Sequence, residues 1–264
     1  MAGRCPWWAP PLLALQFLTR LPVTATNRLS VEAVRAGLAR AVGWFPLVGA
    51  LIGAVTATIT LGAMALWPAP VAVLLALAIE ALMTGAFHED AVADFCDAFG
   101  GGQTAEDVRR IMNDSRIGSY GTVGLLLAFS LRATLMIAVL ERFDGLTAAL
   151  VITASACFGR WLIVALMAIV TPAPSGTGLT KDIAAGVGLS SLAFASLVAL
   201  PILTLVTLHA PIAMIGGLTV ALVFLLWFRA LLIRRIGGST GDCLGFAAYV
   251  GQLLLLLAAA AATP

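Results

Sequence analysis

Seven long apolar runs constrain the fold of this chain more than any other feature. Each approaches the roughly 20 residues that a helix needs to cross the hydrocarbon core of a bilayer. The runs are continuous rather than alternating, and a backbone in lipid must satisfy its own hydrogen bonds, so helices are favoured over strands. The sequence therefore predicts an all-α fold, a polytopic membrane helix bundle forming a single domain over residues 1–264. The predicted spans are roughly 41–67, 69–87, 120–140, 146–170, 184–207, 211–230 and 243–262.

The first 25 residues do not fit a straight span. They are apolar, but they contain Pro10, Pro11, Pro22 and Arg20. They also lack an evident cleavage site of the kind that follows a signal peptide. We expect an interfacial or re-entrant segment in front of about seven transmembrane helices.

Basic residues predict the orientation in the membrane. Five arginines precede the first span, and this places the N-terminus in the cytoplasm. Seven crossings then put the loops 88–119, 171–183 and 231–242 on the cytoplasmic side, where most of the other basic residues fall. The net charge of +2 follows from this topology, so we expect a lipid environment and no nucleic-acid partner.

The loop at 88–119 is the predicted main catalytic loop, since it holds seven of the 13 acidic residues. If the helix of 69–87 continues beyond the bilayer, Asp90, Asp94 and Asp97 lie at i, i+4 and i+7 on one face. Oxygen ligands without a Cys or His cluster suit Mg²⁺ or Mn²⁺, and such ions commonly share their coordination with substrate phosphates. The alternative is an ordinary solvated helix face.

The segment "NDSRIGSYG" extends this site. Asp114 can complete a metal shell, while Ser115 and Arg116 can hold a phosphate. The alternative is a helix end with glycine breakers. Thr104 and Asp107 predict a capping box that opens a short surface helix.

Other candidate residues lie in two cytoplasmic loops and in the spans. Lys181 ends the loop "PSGTGLTKD", and Thr240 and Asp242 lie in "GGSTGD". Arg132 and Arg160 lie inside predicted spans, so we expect them to face a polar cavity or a partner carboxylate such as Glu80. His88 fits either a general base or an interfacial histidine.

Taken together, the ordered motifs are specific. The segments "FLTRLPV" (17–23), "TGAFHEDAVADFCDAFGG" (84–101), "MNDSRIGSYG" (112–121), "GR" (159–160) and "GGSTGDCLG" (237–245) resemble the cobalamin synthase family of adenosylcobinamide-GDP ribazoletransferases. The matches run in order along almost the whole chain. Ala91 stands where that family usually has glycine.

The resemblance implies a Mg²⁺-dependent enzyme of the cell inner membrane that completes the nucleotide loop of cobalamin. Its substrates would be adenosylcobinamide-GDP and α-ribazole or α-ribazole 5′-phosphate, and GMP would be released. The implied metal ligands are Asp90, Asp94, Asp97 and Asp114, with Asp97 or His88 as the general base and Ser115 and Arg116 as substrate-binding residues. From their positions in the spans and polar loops, we also expect substrate-binding roles for Glu80, Arg160, Lys181, Thr240 and Asp242. The sequence leaves a homo-oligomer open.

Two other functions are compatible with the pattern. The acidic stripe is similar to that of CDP-alcohol phosphotransferases that act on lipids. The charges inside the spans are compatible with an ion-coupled transporter. A transporter would keep its binding acids near the middle of the bilayer, whereas this cluster is predicted at a helix end.

Overall fold

The structure is a computed structural model that describes residues 5–174 and 186–261. Within those residues the chain is a helical bundle whose β-structure is limited to an isolated bridge between Pro172 and Ser239. The helices are α1 (Ala9–Leu18), α2 (Val31–Ala41), α3 (Phe45–Ala63), α4 (Ala69–Thr84), α5 (Phe87–Gly101), α6 (Ala105–Met112), α7 (Ser119–Arg142), α8 (Gly145–Ile169), α9 (Leu189–His209), α10 (Pro211–Ile236) and α11 (Gly241–Ala261).

In the described part of the chain, six helical segments are long and apolar enough to cross a membrane: the continuous stretch Val31–Ala63 and α7 to α11. The pair α4 and α5 passes the same test only when its two helices are taken together, and it would be a seventh, broken span. The predicted polytopic helix bundle with about seven spans is therefore confirmed. Helix α1 has ten residues, which is too short to cross a bilayer, as expected for an interfacial or re-entrant segment.

Helix α8 is the centre of the bundle. In its most apolar stretch, 89% of the residues are buried, and the helix packs against α3, α9 and α11. Close packing of membrane helices depends on small residues, and Gly49 and Gly53 of α3 both lie against Ala156 of α8. Helices α7, α9 and α10 are the most exposed of the long helices, since only 22%, 17% and 33% of their most apolar stretches are buried.

Polar segments from different parts of the chain meet at one end of the bundle. Arg235, in the last turn of α10, donates to the carbonyl oxygen of Gly102 at 2.8 Å. The hydroxyl of Thr240 lies 3.0 Å from the sulfur of Met112 in α6. Residues 171–173 pair with Ser239 through backbone hydrogen bonds of 3.0 Å. The described parts of the loops that the sequence placed on one side are therefore in contact.

The small helix α6 has the predicted capping box. The Thr104 side chain accepts from the N–H of Asp107, whose carboxylate accepts from the N–H of Thr104. Arg110 pairs with Asp107 on the exposed surface. Helix α6 is thus the ordinary surface helix that its sequence predicts.

Candidate active site

The acidic helix α5 begins at a sharp bend. The sequence analysis allowed the second span to run through to Asp97, but α4 ends at Thr84 and α5 leaves it at an angle of 88°. Gly85 and Ala86 take left-handed conformations with φ of 73° and 55°, and both N–H groups donate to the carbonyl oxygen of Ala81. The expectation of a continuous helix is therefore corrected, because these two residues end α4 with a C-cap.

The predicted stripe lies on α5. Asp90, Asp94 and Asp97 occur within this single helix, with Asp90 exposed and the other two partly buried. The charges of Asp90, Asp97 and Asp242 all act unfavourably on the carboxyl group of Asp94. Asp242 comes from the first turn of α11, so the structure brings it into the acidic group. We call Asp90, Asp94, Asp97 and Asp242 the acidic cluster.

Asp97 also holds the beginning of α7. Its two carboxylate oxygens accept hydrogen bonds from the N–H groups of Gly118 and Gly121, at 2.6 and 2.8 Å. A side chain at either glycine would overlap the Asp97 carboxylate. Negative charge at a helix N-terminus is favourable because of the free N–H groups and the helix dipole. Asp97 therefore fixes the position of α7 relative to α5.

An open cleft of about 440 Å³ lies beside Asp97. Its polar lining includes Asp97, Asp114, Arg116 and Ser119, and Tyr120 forms part of its wall. The Arg116 guanidinium pairs with the Asp114 carboxylate at 2.7 Å and holds the pKa of that carboxyl at about 2. The Arg116 side chain is 87% exposed, so a phosphate in the cleft can reach it. Ser115, next to this pair, is exposed.

The carboxylates that could bind a metal differ in their partners. Among the described residues, no three Asp, Glu, His or Cys side chains are grouped in a way that could hold a metal ion. Asp97 is bound to α7 and Asp114 to Arg116, whereas Asp90, Asp94 and Asp242 stay close without a neutralising partner acting on Asp94. Mg²⁺ is usually held by one or two carboxylates together with water and substrate phosphates. The chemistry of the acidic cluster fits that ion.

Four residues that the sequence singled out are buried and contact one another in pairs. Arg132 of α7 donates to both carboxylate oxygens of Glu80 at 2.8 and 2.7 Å, and its Nη1 lies 3.6 Å from Glu89. Arg160 of α8 approaches Nδ1 of His88 at 3.4 Å. The expected carboxylate partner of Arg132 is thus Glu80. Both His88 and Arg160 are 1% exposed, so they lie away from the open cleft.

The remaining loop residues are only partly described. Thr240 donates to Met112 and accepts from the N–H of Cys243, which ties the start of α11 to α6. Lys181 lies outside the described residues.

Comparison with known protein families gives a match over nearly the whole chain. The family described as cobalamin-5-phosphate synthase matches residues 10–260. The chain belongs to this family. No solved structure that matches the chain was found.

Curated relatives of this cobalamin-5-phosphate synthase family member are similar over nearly their full length. A protein of Ralstonia nicotianae is 39% identical over 252 residues, which cover 92% of each chain. One of Bradyrhizobium diazoefficiens is 39% identical over 251 residues, 94% of this chain and 92% of its own. One of Vibrio cholerae is 36% identical over 249 residues, 93% of this chain and 91% of its own. Each is named adenosylcobinamide-GDP ribazoletransferase.

The sequence reasoning about this family member missed part of the buried network. Glu89 was not assigned a role, although it lies near Arg132. Tyr249 and Gln252 of α11 carry buried polar atoms without a hydrogen-bond partner among the described residues, and Arg132 lies 5.6 Å from the Tyr249 ring. A signal was present, because polar side chains inside an apolar span commonly face other polar groups in the bundle.

Proposed function

We propose that the protein joins α-ribazole, or α-ribazole 5′-phosphate, to adenosylcobinamide-GDP and releases GMP. The observation that carries the proposal is the position of the acidic cluster beside the cleft with Asp97, Asp114 and Arg116, at the polar end of the bundle. Carboxylates that can share a cation with phosphate oxygens, next to an exposed guanidinium, suit the binding of a pyrophosphate. The names of the relatives supply the identity of the two substrates.

In the proposed reaction, a ribose hydroxyl of the ribazole attacks the phosphorus on the cobinamide side of the pyrophosphate. A new P–O bond forms as the bond from that phosphorus to the bridging oxygen breaks. The electron pair of the broken bond leaves with GMP. The hydroxyl proton passes to a general base, and the two substrates are converted to the joined product and GMP without another reactant.

We propose Asp97 rather than His88 as that base. A base must reach the proton that it removes. Asp97 lines the open cleft, whereas His88 is almost completely buried beside Arg160. The two N–H groups that bind Asp97 also fix the direction of its carboxylate toward the N-terminus of α7.

The acidic cluster is the proposed site for Mg²⁺. The sequence predicts Asp90, Asp94, Asp97 and Asp114 as ligands. Of the acidic cluster, one or two carboxylates around Asp94, from Asp90, Asp94 and Asp242, would hold the ion together with water and substrate phosphates, while Asp97 and Asp114 line the cleft. When bound, the ion neutralises charge on the pyrophosphate and on the departing GMP. The carboxylates bring the ion to the polar end of the bundle, and their mutual repulsion favours the occupied form.

Arg116 is the proposed phosphate-binding residue of the cleft. Its guanidinium can exchange the exposed Asp114 carboxylate for phosphate oxygens, which accept two hydrogen bonds from its planar fork. Ser115 lies beside it. Arg160, by contrast, is buried against α5, so we propose that it supports His88 and the bend rather than binding phosphate directly.

The cytoplasmic face of the inner membrane is the proposed location of this end of the bundle. The basic residues that predict the orientation include Arg109, Arg110, Arg116, Arg234 and Arg235, all in the described polar end or next to it. Tagging that end and testing its accessibility in spheroplasts checks the orientation.

The reaction is tested with purified protein, Mg²⁺, adenosylcobinamide-GDP and α-ribazole 5′-phosphate. We expect release of GMP that depends on Mg²⁺ and is lost in Asp94→Asn. Glu106→Gln is the matched control, because Glu106 is an exposed acid on α6 outside the cluster. Folded wild-type protein that releases no GMP would refute the proposed function. Full activity in Asp94→Asn would refute the role of the cluster.

A further inference from the structure

Arg20 has an unusual position at the bend that precedes the acidic helix. It follows the end of α1, and its backbone N–H donates to the carbonyl oxygen of Met83, near the end of α4, at 2.7 Å. Its side chain lies over Gly85, so closely that a Cβ at Gly85 would overlap Nε of Arg20. The backbone of Arg20 is therefore tied to the end of α4, and its side chain lies over the bend.

The end of α1 contacts α5 and lines a cavity together with α11, the two helices that contribute to the acidic cluster. The Phe17 ring packs edge-on against Phe87, the first residue of α5, with ring centroids 5.8 Å apart. Phe17 and Phe87 also line a small cavity together with Gly241 and Leu244 of α11. Asp242 follows Gly241 directly, so α1 ends beside the first turns of α5 and α11.

A polar groove of about 410 Å³ surrounds Arg20. Its polar lining is Gln16, Thr19, Arg20, Thr24 and Asn27. The Thr19 hydroxyl donates to the carbonyl oxygen of Leu15 and accepts from the N–H of Leu21, which holds the loop in place. The Arg20 side chain is exposed, and within residues 5–174 and 186–261 it forms no ion pair.

We infer that this groove, which we call the Arg20 groove, binds a phosphate group of a substrate. The inference rests on the proposed function. A guanidinium presents a planar set of donors that matches phosphate oxygens, and its binding to phosphate is favoured when it has no carboxylate partner. The segment that carries Arg20 ends beside the first turns of α5 and α11, so its cation attracts a phosphorylated substrate to the same end of the bundle as the acidic cluster.

Two substrate groups have this chemistry: the GDP portion of adenosylcobinamide-GDP and the 5′-phosphate of α-ribazole 5′-phosphate. The loop around Arg20 also offers hydroxyl and amide groups from Thr19, Thr24 and Asn27, which suit the polar surroundings of either phosphate. Kinetic measurements with the two ribazole substrates distinguish between the two sources.

The test compares Arg20→Ala with Arg28→Ala in the full-length protein. Arg28 is the matched control, since it is an exposed arginine of the same segment that does not line the groove. We expect Arg20→Ala to raise one KM about tenfold or more while kcat changes less than about threefold, the pattern of lost substrate binding. Equal melting temperatures in detergent verify that both variants fold.

The substrate whose KM rises identifies the phosphate. A higher KM for adenosylcobinamide-GDP with either ribazole places the GDP portion in the groove. A higher KM for α-ribazole 5′-phosphate, but not for α-ribazole, places the 5′-phosphate there. Arg20→Lys, which keeps the charge but loses the fork, should give an intermediate KM.

Calorimetric binding of GMP supplies a readout that needs no turnover. Weaker GMP binding in Arg20→Ala than in Arg28→Ala supports phosphate binding by the Arg20 groove even if the wild-type protein releases no GMP. The proposed reaction and the proposed phosphate site can therefore fail separately. The inference is overturned if GMP affinity and both KM values are unchanged in Arg20→Ala, or if Arg28→Ala changes them equally.

Discussion

Ala91 and Gly245 form a complementary pair at the contact between α5 and α11. Ala91 is 4% exposed and stands where the resembled family usually has glycine. A Cβ built on Gly245 would lie 2.5 Å from the Cβ of Ala91, well inside ordinary van der Waals contact. The methyl group of Ala91 is therefore accommodated because α11 has no side chain at the facing position.

Gly245→Ala should destabilise the protein through this contact. Neither methyl group can rotate away, so the two helices must separate by several tenths of an ångström or more. Overpacking of this kind typically costs about 1–3 kcal/mol. Because the contact joins the two helices of the acidic cluster, we also expect lower GMP release.

Ala91→Gly in the same chain should reverse most of the loss. It removes the methyl group that Gly245→Ala would meet, and the pair then has one methyl group again, on the opposite helix. The free energy of unfolding is measured by denaturing-detergent titration of the wild type, both single variants and the double variant. Ala91→Gly alone should cost about 1–2 kcal/mol, since glycine is disfavoured inside a helix and one buried methyl group is lost.

The double-variant cycle decides whether the pair acts as described. A coupling free energy of about 1 kcal/mol or more between the two positions is expected for side chains in direct contact. If Gly245→Ala is as stable as the wild type, or if Ala91→Gly fails to restore it, the proposed complementarity is wrong.

Three further predictions concern single sites. Arg132→Met leaves Glu80 buried without its main partner and should reduce the free energy of unfolding by about 3–5 kcal/mol, whereas adding Glu80→Gln should recover part of it; equal stability of Arg132→Met and wild type would contradict this. Asp97→Asn should lose one of the two N–H hydrogen bonds to α7 and reduce the free energy of unfolding by about 1–3 kcal/mol. The loss should show as a lower melting temperature in the absence of substrate. An inactive variant of unchanged stability would argue against the capping role. Ala86→Gly removes a left-handed alanine, so the free energy of unfolding in a denaturant titration should be unchanged or rise by up to about 1 kcal/mol. A clearly lower free energy of unfolding would contradict the strain at the bend.

Some local features could be predicted because they depend on neighbours in the sequence. The capping box of Thr104 and Asp107 involves residues one helical turn apart, and the structure has it as predicted. The same holds for Asp90, Asp94 and Asp97, whose common face follows from helix geometry alone.

Other features depend on segments that are distant in the sequence. Asp97 binds Gly118 and Gly121, and Glu80 rather than another acid receives both hydrogen bonds from Arg132. Periodicity cannot choose such partners, because their approach depends on which helices pack together and how closely. The sequence places Asp242 in a polar loop, but it does not show that this residue joins the acidic cluster.

The sequence by itself determined that this protein is a helical membrane bundle, because long apolar runs leave a backbone in lipid no other way to satisfy its hydrogen bonds. It also determined where the carboxylates concentrate. Only the tertiary structure decided that α5 turns by 88° from α4 and that Asp242 joins the cluster. The physical reason is that the bend holds Ala86 in a conformation that its own preference disfavours, so contacts with other segments must stabilise it.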